Sequence, residues 1–199
     1  MKKAFLSLGL LAGISVAAQA QTARFGIKAG ASLSSWTGSD AGATATKLGF
    51  HAGLVANFGL NEMISIQPEL LYSMKGGQDD TNSNNRVNLN YVDIPILAKV
   101  ATGATGLFFE LGPQVGFLAS ATNKTSSSST DVKDSFKGVD FGYAAGVGFQ
   151  VASGPMVGLR YNGGFTNIVK DITIANTTIQ TNLKNSAFQL YMGYIFGGK

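Results

Sequence analysis

The chain has 199 residues, of which 45% are hydrophobic and only 13% charged, and its formal net charge is +4. This length suits a single domain, and the absence of a basic stripe argues against nucleic-acid binding. With no cysteine, the sequence also excludes a disulfide framework, thiolate metal ligands and a cysteine nucleophile.

The N-terminus has the three parts of a secretory signal peptide. Lys2 and Lys3 are followed by apolar residues at 4–18, and the AQA tripeptide at 18–20 matches a small-residue cleavage site. The apolar segment is shorter than the ~20 residues that a spanning helix needs, which disfavours a membrane anchor. We therefore expect a signal peptide at residues 1–20 and a mature domain at 21–199, with 13 basic and 11 acidic residues.

Alternation of apolar residues with polar or small ones predicts eight β-strands. In the first, apolar residues fall at every second position from Phe25 to Leu33, whereas Arg24 and Lys28 take the other face. The same period continues through the chain. The predicted strands lie near residues 24–33, 48–58, 64–74, 89–100, 108–119, 140–151, 157–165 and 187–196.

The predicted connections alternate in length. Those after the second, fourth and sixth strands are short (59–63, 101–106 and 152–155), and the others are long and polar (35–47, 75–88, 120–138 and 166–185). Strands of about ten residues, with short turns at one end and long loops at the other, are typical of barrels in the Gram-negative outer membrane. We expect a closed eight-stranded antiparallel up-and-down transmembrane β-barrel, with the first strand paired to the eighth.

Aromatic residues favour a membrane setting over a soluble one. Fourteen of the nineteen Phe and Tyr residues fall on the apolar face, many near strand ends, where interfacial girdles lie. The alternative, a soluble β-sandwich or lipocalin-like barrel, would bury these rings and carry more Lys and Glu on its other face.

The fourth predicted strand has two competing registers. We favour the register with Tyr91, Asp93 and Lys99 inside the barrel, because the opposite one would turn both charges toward lipid. A charge at mid-membrane depth costs about 2–4 kcal/mol.

Four segments carry a resemblance to a known family. They are residues 89–99 (LNYVDIPILAK), 111–116, 140–148 and 160–168. With these segments in this order, the chain resembles the outer-membrane β-barrel family common in Bacteroidetes, which includes PorT-like proteins. The resemblance implies an outer-membrane barrel, and for PorT-like members a link to protein secretion. Members of this family usually end close to an aromatic residue that assists membrane assembly. In this sequence three residues, Gly197 to Lys199, follow the last aromatic residue, Phe196.

The inward face is expected to hold a balanced set of charges. Eight strands enclose a space that side chains just fill, and buried charges persist only when paired. We therefore expect a structural network there, with a proton or ion path as the alternative. The predicted barrel-interior network consists of Arg24, Lys28, Glu69, Asp93, Lys99, Glu110, Asp140 and Arg160.

Within that set, Glu69 and Asp93 are predicted to lie opposite one another, because a hairpin centred near residues 81–82 would pair them. Two such carboxylates need a shared proton or a cation between them. We expect Arg160 to reach across the glycine-lined sixth strand and bind both, with Lys28 as the second candidate.

A further hairpin is predicted in the last long connection. The β-prone segments at 172–174 and 178–180 flank a turn-compatible pair, which would place Ile172 opposite Ile179 and extend the seventh and eighth strands.

The sequence favours neither an enzyme nor a cofactor site. His51 is the sole histidine, and with no cysteine it cannot complete a zinc site or supply an evident nucleophile–base pair. Two hypotheses remain. The first is a monomeric barrel in outer-membrane lipid, structural or binding a protein partner through loops or turns; the second is a narrow solute or ion channel.

Overall fold

Eight long strands form where the sequence alternates with period two. The computed structural model describes residues 22–42, 44–81, 84–103, 106–174, 177–179 and 181–197. The strands are β1 (Thr22–Thr37), β2 (Lys47–Gly59), β3 (Ile64–Asp79), β4 (Arg86–Ala101), β5 (Leu107–Lys124), β6 (Val139–Gln150), β7 (Pro155–Gly164) and β8 (Lys184–Ile195).

The sheet closes on itself. Each strand pairs antiparallel with its chain neighbours, and β1 pairs with β8 from Gly26 opposite Ile195 to Thr37 opposite Lys184. The predicted closure is therefore confirmed. Closure leaves no open edge on the wall, which matters because an unpaired backbone group in lipid costs several kcal/mol.

Several strands continue beyond their predicted ends. β3 extends to Asp79 and β4 begins at Arg86, so the connection predicted at 75–88 shrinks to 80–85. β5 likewise extends to Lys124 and pairs there with the short strand Ser129–Asp131. The prediction failed at these ends because both faces of the strands become polar there, so hydrophobic alternation vanishes although the hydrogen-bond ladder continues.

The remaining regular elements of the described residues are small. Thr44–Ala45 pairs with the end of β3, and Lys133–Ser135 forms a single 3-10 turn. None of the helical structure in these residues is long and apolar enough to cross a membrane.

The two strands of the hairpin predicted in the last long connection do pair, separately from the barrel wall, while its predicted turn at 175–176 lies outside the described residues. Ile172 lies opposite Ile179, as expected. The two strands, Ile172–Ile174 and Thr177–Ile179, form their own two-stranded sheet, so the expectation that they extend β7 and β8 is wrong. β7 ends at Gly164 and β8 begins at Lys184, so a long connection at 165–183 joins these two strands.

The three short turns (60–63, 102–106 and 151–154) share one end of the barrel, which also holds the start of β1 and the end of β8. Short turns face the periplasm in outer-membrane barrels. We therefore call this the periplasmic end and the opposite one the extracellular end.

The outer face is apolar along its whole circumference. Phe25, Phe188 and Met192 are 63%, 65% and 70% exposed, and large aliphatic residues on the other strands are similarly uncovered. A soluble monomer rarely exposes so large a continuous apolar surface, whereas lipid covers it without cost.

The register of β4 follows the prediction. Tyr91, Asp93 and Lys99 are buried, whereas Ile96 and Val100 are exposed on the outer face.

Aromatic rings form contacts on the outer face near both ends. Toward the extracellular end, Tyr143 contacts Phe165 and Tyr161 with ring centroids 5.1 and 6.0 Å apart. Toward the periplasmic end, Tyr194 and Phe196 lie 5.2 Å apart. These positions fit the two membrane interfaces, where amphipathic rings are stabilised.

The membrane band can be tested by placing a charge at its centre. Leu159, exposed at the middle of β7, should on substitution by Arg destabilise the barrel by about 2–4 kcal/mol, because mid-membrane charge is costly. The measurement is denaturant-induced unfolding in lipid vesicles. Leu60→Arg in a periplasmic turn is the control, with an expected cost of about 0–1 kcal/mol. Equal effects of the two substitutions would contradict the band as placed.

Candidate functional site

The centre of the barrel holds an arginine between two glutamates. Arg160 on β7 donates from Nη1 and Nη2 to the two carboxylate oxygens of Glu69 on β3, at 2.8 and 2.9 Å. Its Nε donates to Glu110 Oε1 on β5 at 2.7 Å. All three side chains are fully buried in these ion pairs. The planar guanidinium thus satisfies two carboxylates at once, as its fixed fork of donors allows.

Further donors surround the same carboxylates. Lys28 on β1 donates to Glu69 Oε1 at 2.7 Å, and Gln67 Nε2 donates to that oxygen at 2.7 Å. Tyr191 on β8 donates its hydroxyl to Glu110 Oε1 at 3.0 Å, and the Lys28 ammonium lies 3.9 Å from the Tyr191 ring centroid. The network therefore joins five strands across the lumen: β1, β3, β5, β7 and β8.

Inward glycines make room for this network. A Cβ on Gly146 would lie 2.9 Å from Glu110 Oε1, and one on Gly158 would lie 2.5 Å from the Tyr191 hydroxyl. A Cβ on Gly116 would lie 2.6 Å from Asp93 Oδ1. These glycines thus leave space for the carboxylates and for the Tyr191 ring. The expected role of glycines in making room for Arg160 itself is not seen at these positions.

The predicted pairing of Glu69 with Asp93 is wrong. The β3–β4 register places Leu71 opposite Asp93. The observed register differs by two residues of β3 from the one that would place Glu69 opposite Asp93. Arg160 bridges Glu69 and Glu110 instead.

Asp93 has its own cation. Lys75 Nζ lies 2.9 Å from Asp93 Oδ1, and both side chains are almost fully buried. Lys75 was missed because the third strand was ended at Met74, although one more step of the same alternation would have turned Lys75 inward. Lys47, on the extracellular side, was missed for a similar reason; it is buried and donates to the Lys75 carbonyl at 3.3 Å.

Asp140 is held by neutral donors. Asn185 Nδ2 donates to Asp140 Oδ2 at 2.9 Å, and Thr166 donates to Oδ1 at 2.8 Å. Lys75 and Asp140 also line a small cavity of about 10 Å³, roughly the space for one water molecule.

Lys99 and Arg24 lie toward the periplasmic end and form no ion pair with a carboxylate within 4.0 Å, although Lys99 is directly opposite Glu110 in the β4–β5 ladder. Lys99 donates to Gln150 Oε1 at 2.6 Å and to Gln67 Oε1 at 3.4 Å. Arg24 Nε is buried and has no hydrogen-bond partner among the described residues. Of the eight predicted interior residues, the structure thus joins Lys28, Glu69, Glu110 and Arg160 in one cluster and places the other four elsewhere in the lumen.

Apolar clusters lie on both sides of the central network. The periplasmic cluster consists of Val55, Phe108, Met156, Tyr191 and Ile195. The extracellular cluster consists of Leu89, Tyr91, Leu118, Ala121, Phe136, Ile168 and Leu183, and it includes residues from the long connections. The central charges therefore lie between two groups of apolar side chains, and such low-dielectric surroundings strengthen their attraction.

His51 has no partner that would make it a general base. It is fully buried opposite Ser73, yet neither ring nitrogen nor the Ser73 hydroxyl has a hydrogen-bond partner among the described residues. Ser34, on the adjacent strand β1, donates its hydroxyl hydrogen to the Gly76 carbonyl at 2.9 Å. In the described part of the chain there is also no cluster of three His, Asp or Glu residues that could hold a metal ion.

A closed barrel with an apolar outer face and a side-chain-filled lumen defines a class, the small outer-membrane β-barrel. Residues 4–170 match the family described as "Outer membrane protein beta-barrel domain". The chain belongs to this family and is located in the outer membrane. A comparison with curated proteins finds no match.

Solved structures of the same fold are distant in sequence. Neisserial surface protein A (NspA) has a TM-score of 0.54 at 16% identity, covering 87% of this chain and 99% of that chain. Ail, the attachment invasion locus protein of Yersinia pestis, solved with the heparin analogue sucrose octasulfate, has a TM-score of 0.53 at 14% identity. The match covers 88% of this chain and 100% of Ail. These similarities establish the fold.

Removal of Arg160 tests the central network. Arg160→Met should destabilise the barrel by about 3–5 kcal/mol, because it leaves Glu110 as a buried charge without its cation. Adding Glu110→Gln should recover much of this loss, since Glu69 retains Lys28. Denaturant unfolding in vesicles measures both, and a double variant less stable than Arg160→Met would contradict the assignment.

The corrected pairing of Asp93 predicts which substitutions are coupled. In double-mutant cycles, Asp93→Asn should couple strongly to Lys75→Met and add to Arg160→Met within about 0.5 kcal/mol. A coupling energy between Asp93 and Arg160 larger than that between Asp93 and Lys75 would contradict this pairing and support Arg160 as the partner of Asp93.

Proposed function

We propose that this protein is a non-conducting barrel with a structural or partner-binding role, and that its extracellular loops form the contact surface. The proposal rests on the Arg160 network, whose ion pairs cross the lumen at the centre of the barrel. A conducting path would have to pass two apolar clusters and the ion pairs that Arg160 forms with Glu69 and Glu110.

The extracellular connections support a contact role because they bind one another. Lys137 N donates to the Ile168 carbonyl at 2.7 Å, and Ile168 N donates to the Leu183 carbonyl at 2.8 Å. Asn182 N donates to Asp40 Oδ2 at 2.7 Å, which ties the first long connection to the last. A surface held in one arrangement loses less entropy on binding than loose loops do.

We propose that the partner is a component of a protein-secretion system, because the sequence resembles PorT-like barrels of Bacteroidetes. We further propose a monomer, since the closed sheet offers no free edge to a second copy. Light scattering of the purified barrel measures the mass directly.

Conductance separates this proposal from a narrow channel. We expect silence in planar bilayers after insertion, which protease access to the loops can verify, whereas a wide porin reconstituted in parallel should conduct. Steady ohmic steps from the wild-type barrel would reject the proposal and favour a narrow solute or ion channel.

Site-specific crosslinking in cells tests the contact surface. A photoreactive residue at Lys133 or Lys170, both exposed in the extracellular connections, should crosslink a defined protein. The same group at Leu60 in a periplasmic turn is the matched control. Crosslinks from Leu60 alone would move the contact surface to the periplasmic turns, and none at any site would reject partner binding.

We also propose that residues 1–20 are a signal peptide. Sequencing the N-terminus of the protein isolated from membranes should give Gln21 as the first residue. Recovery of Met1 would reject cleavage.

A further inference from the structure

A cavity of about 510 Å³ opens at the periplasmic end of the barrel. Its wall combines the ends of the strands with the short turns, and its rim is formed by exposed residues of the turn at 60–63. We call this cavity the periplasmic vestibule. Its volume is in the range of small-molecule sites.

Two cations that form no ion pair within 4.0 Å line the vestibule, although Lys99 lies opposite Glu110 in the β4–β5 ladder. Lys99 is 5% exposed, and its hydrogen-bond acceptors are the neutral amides of Gln67 and Gln150, while its ammonium lies 3.8 Å from the Phe108 ring centroid. Arg24 contributes a buried Nε with no acceptor among the described residues. Buried donors and charges left unpaired are costly, so this arrangement favours a bound anion.

The contrast with the rest of the lumen makes these two cations distinctive. Lys28, Lys75 and Arg160 each form an ion pair of 2.9 Å or less with a carboxylate. Among the described vestibule residues, the acidic one is Glu62, which is exposed on the rim and forms no ion pair within 4.0 Å. The described lining of the vestibule thus carries two cations inside and one carboxylate at its mouth.

The vestibule is blind. Phe108 closes its inner end together with the periplasmic apolar cluster, and the Arg160 network lies beyond. An anion that enters from the periplasm therefore has a place to bind and no path onward.

We propose that the periplasmic vestibule binds a phosphate group, held by the guanidinium of Arg24 and the ammonium of Lys99. A guanidinium donates two parallel hydrogen bonds to a phosphate, and an ammonium adds a charge-assisted one. The phosphate belongs either to a small periplasmic solute or to the headgroup of an inner-leaflet phospholipid. This site is independent of the loop contacts proposed above.

Calorimetric titration of the full-length barrel in phosphate-free detergent at low ionic strength tests the site, with inorganic pyrophosphate as the probe. Low ionic strength is needed because salt screens an open site. We expect saturable binding with one site. Arg24→Gln and Lys99→Gln should each weaken it about tenfold or more, as loss of a charged hydrogen bond implies.

Two further variants sharpen the result. Lys170→Gln removes the same charge from an exposed extracellular position and should leave the affinity unchanged, whereas Glu62→Gln should tighten binding by removing repulsion at the mouth. Heat-dependent mobility on gels checks folding. Arg24 is only partly buried, so its variant keeps the test valid even if Lys99→Gln does not fold.

Repeating the titration in phospholipid nanodiscs distinguishes the two sources. Weaker apparent affinity than in detergent would indicate competition by lipid headgroups, and equal affinity would indicate a free solute. Absence of saturable binding to the wild type, or equal binding by Arg24→Gln and Lys170→Gln, would overturn the proposal.

Discussion

In the hydrocarbon of a membrane, backbone N–H and C=O groups have no water to bind, so every one of them must find a partner in the chain. For this sequence the solution is a sheet whose first strand pairs with its last along the full height of β8. Closing only eight strands fixes the lumen at a width that side chains must fill. The composition of the interior, its glycines and its ion pairs all follow from that narrow width.

Filling the lumen with polar groups sets a second requirement, since each buried charge must be satisfied. Arg160 meets it by sharing its donors between Glu69 and Glu110. Lys28 adds a donor to Glu69 and Tyr191 adds one to Glu110, whose Oε2 has no partner among the described residues. Removing one member leaves a buried charge unpaired, which costs more than replacing the whole set of charges by apolar groups of similar size. Because its members come from five strands, it also fixes how the walls face one another.

The strands of the barrel wall could be predicted from the sequence more fully than the contacts inside the lumen. Alternation predicts the strands, the closure and the inward side of β4, because one-residue shifts would turn Asp93 and Lys99 into lipid. Partner choice inside the lumen depends on the vertical offset of each hairpin, and a small change there separated Asp93 from Glu69. Lys75 lies one step past Met74, so the alternation itself turns it inward, but the polar residues that follow do not indicate how far the ladder continues. Alternation places Arg24 and Lys99 on the inward face, and only the three-dimensional arrangement shows that neither forms an ion pair with a carboxylate within 4.0 Å.

Strand length varies around the wall. β5 has 18 residues and β7 has 10. At a rise of about 3.3 Å per residue and a tilt of about 40°, these lengths correspond to heights of about 45 and 25 Å. The apolar band of such barrels is about 25 Å tall, so β7 just crosses it while β5 stands well clear of the lipid. The extracellular rim of the barrel is therefore higher at β5 than at β7. A large molecule that approaches from outside meets a tall wall on one side and a low wall on the other.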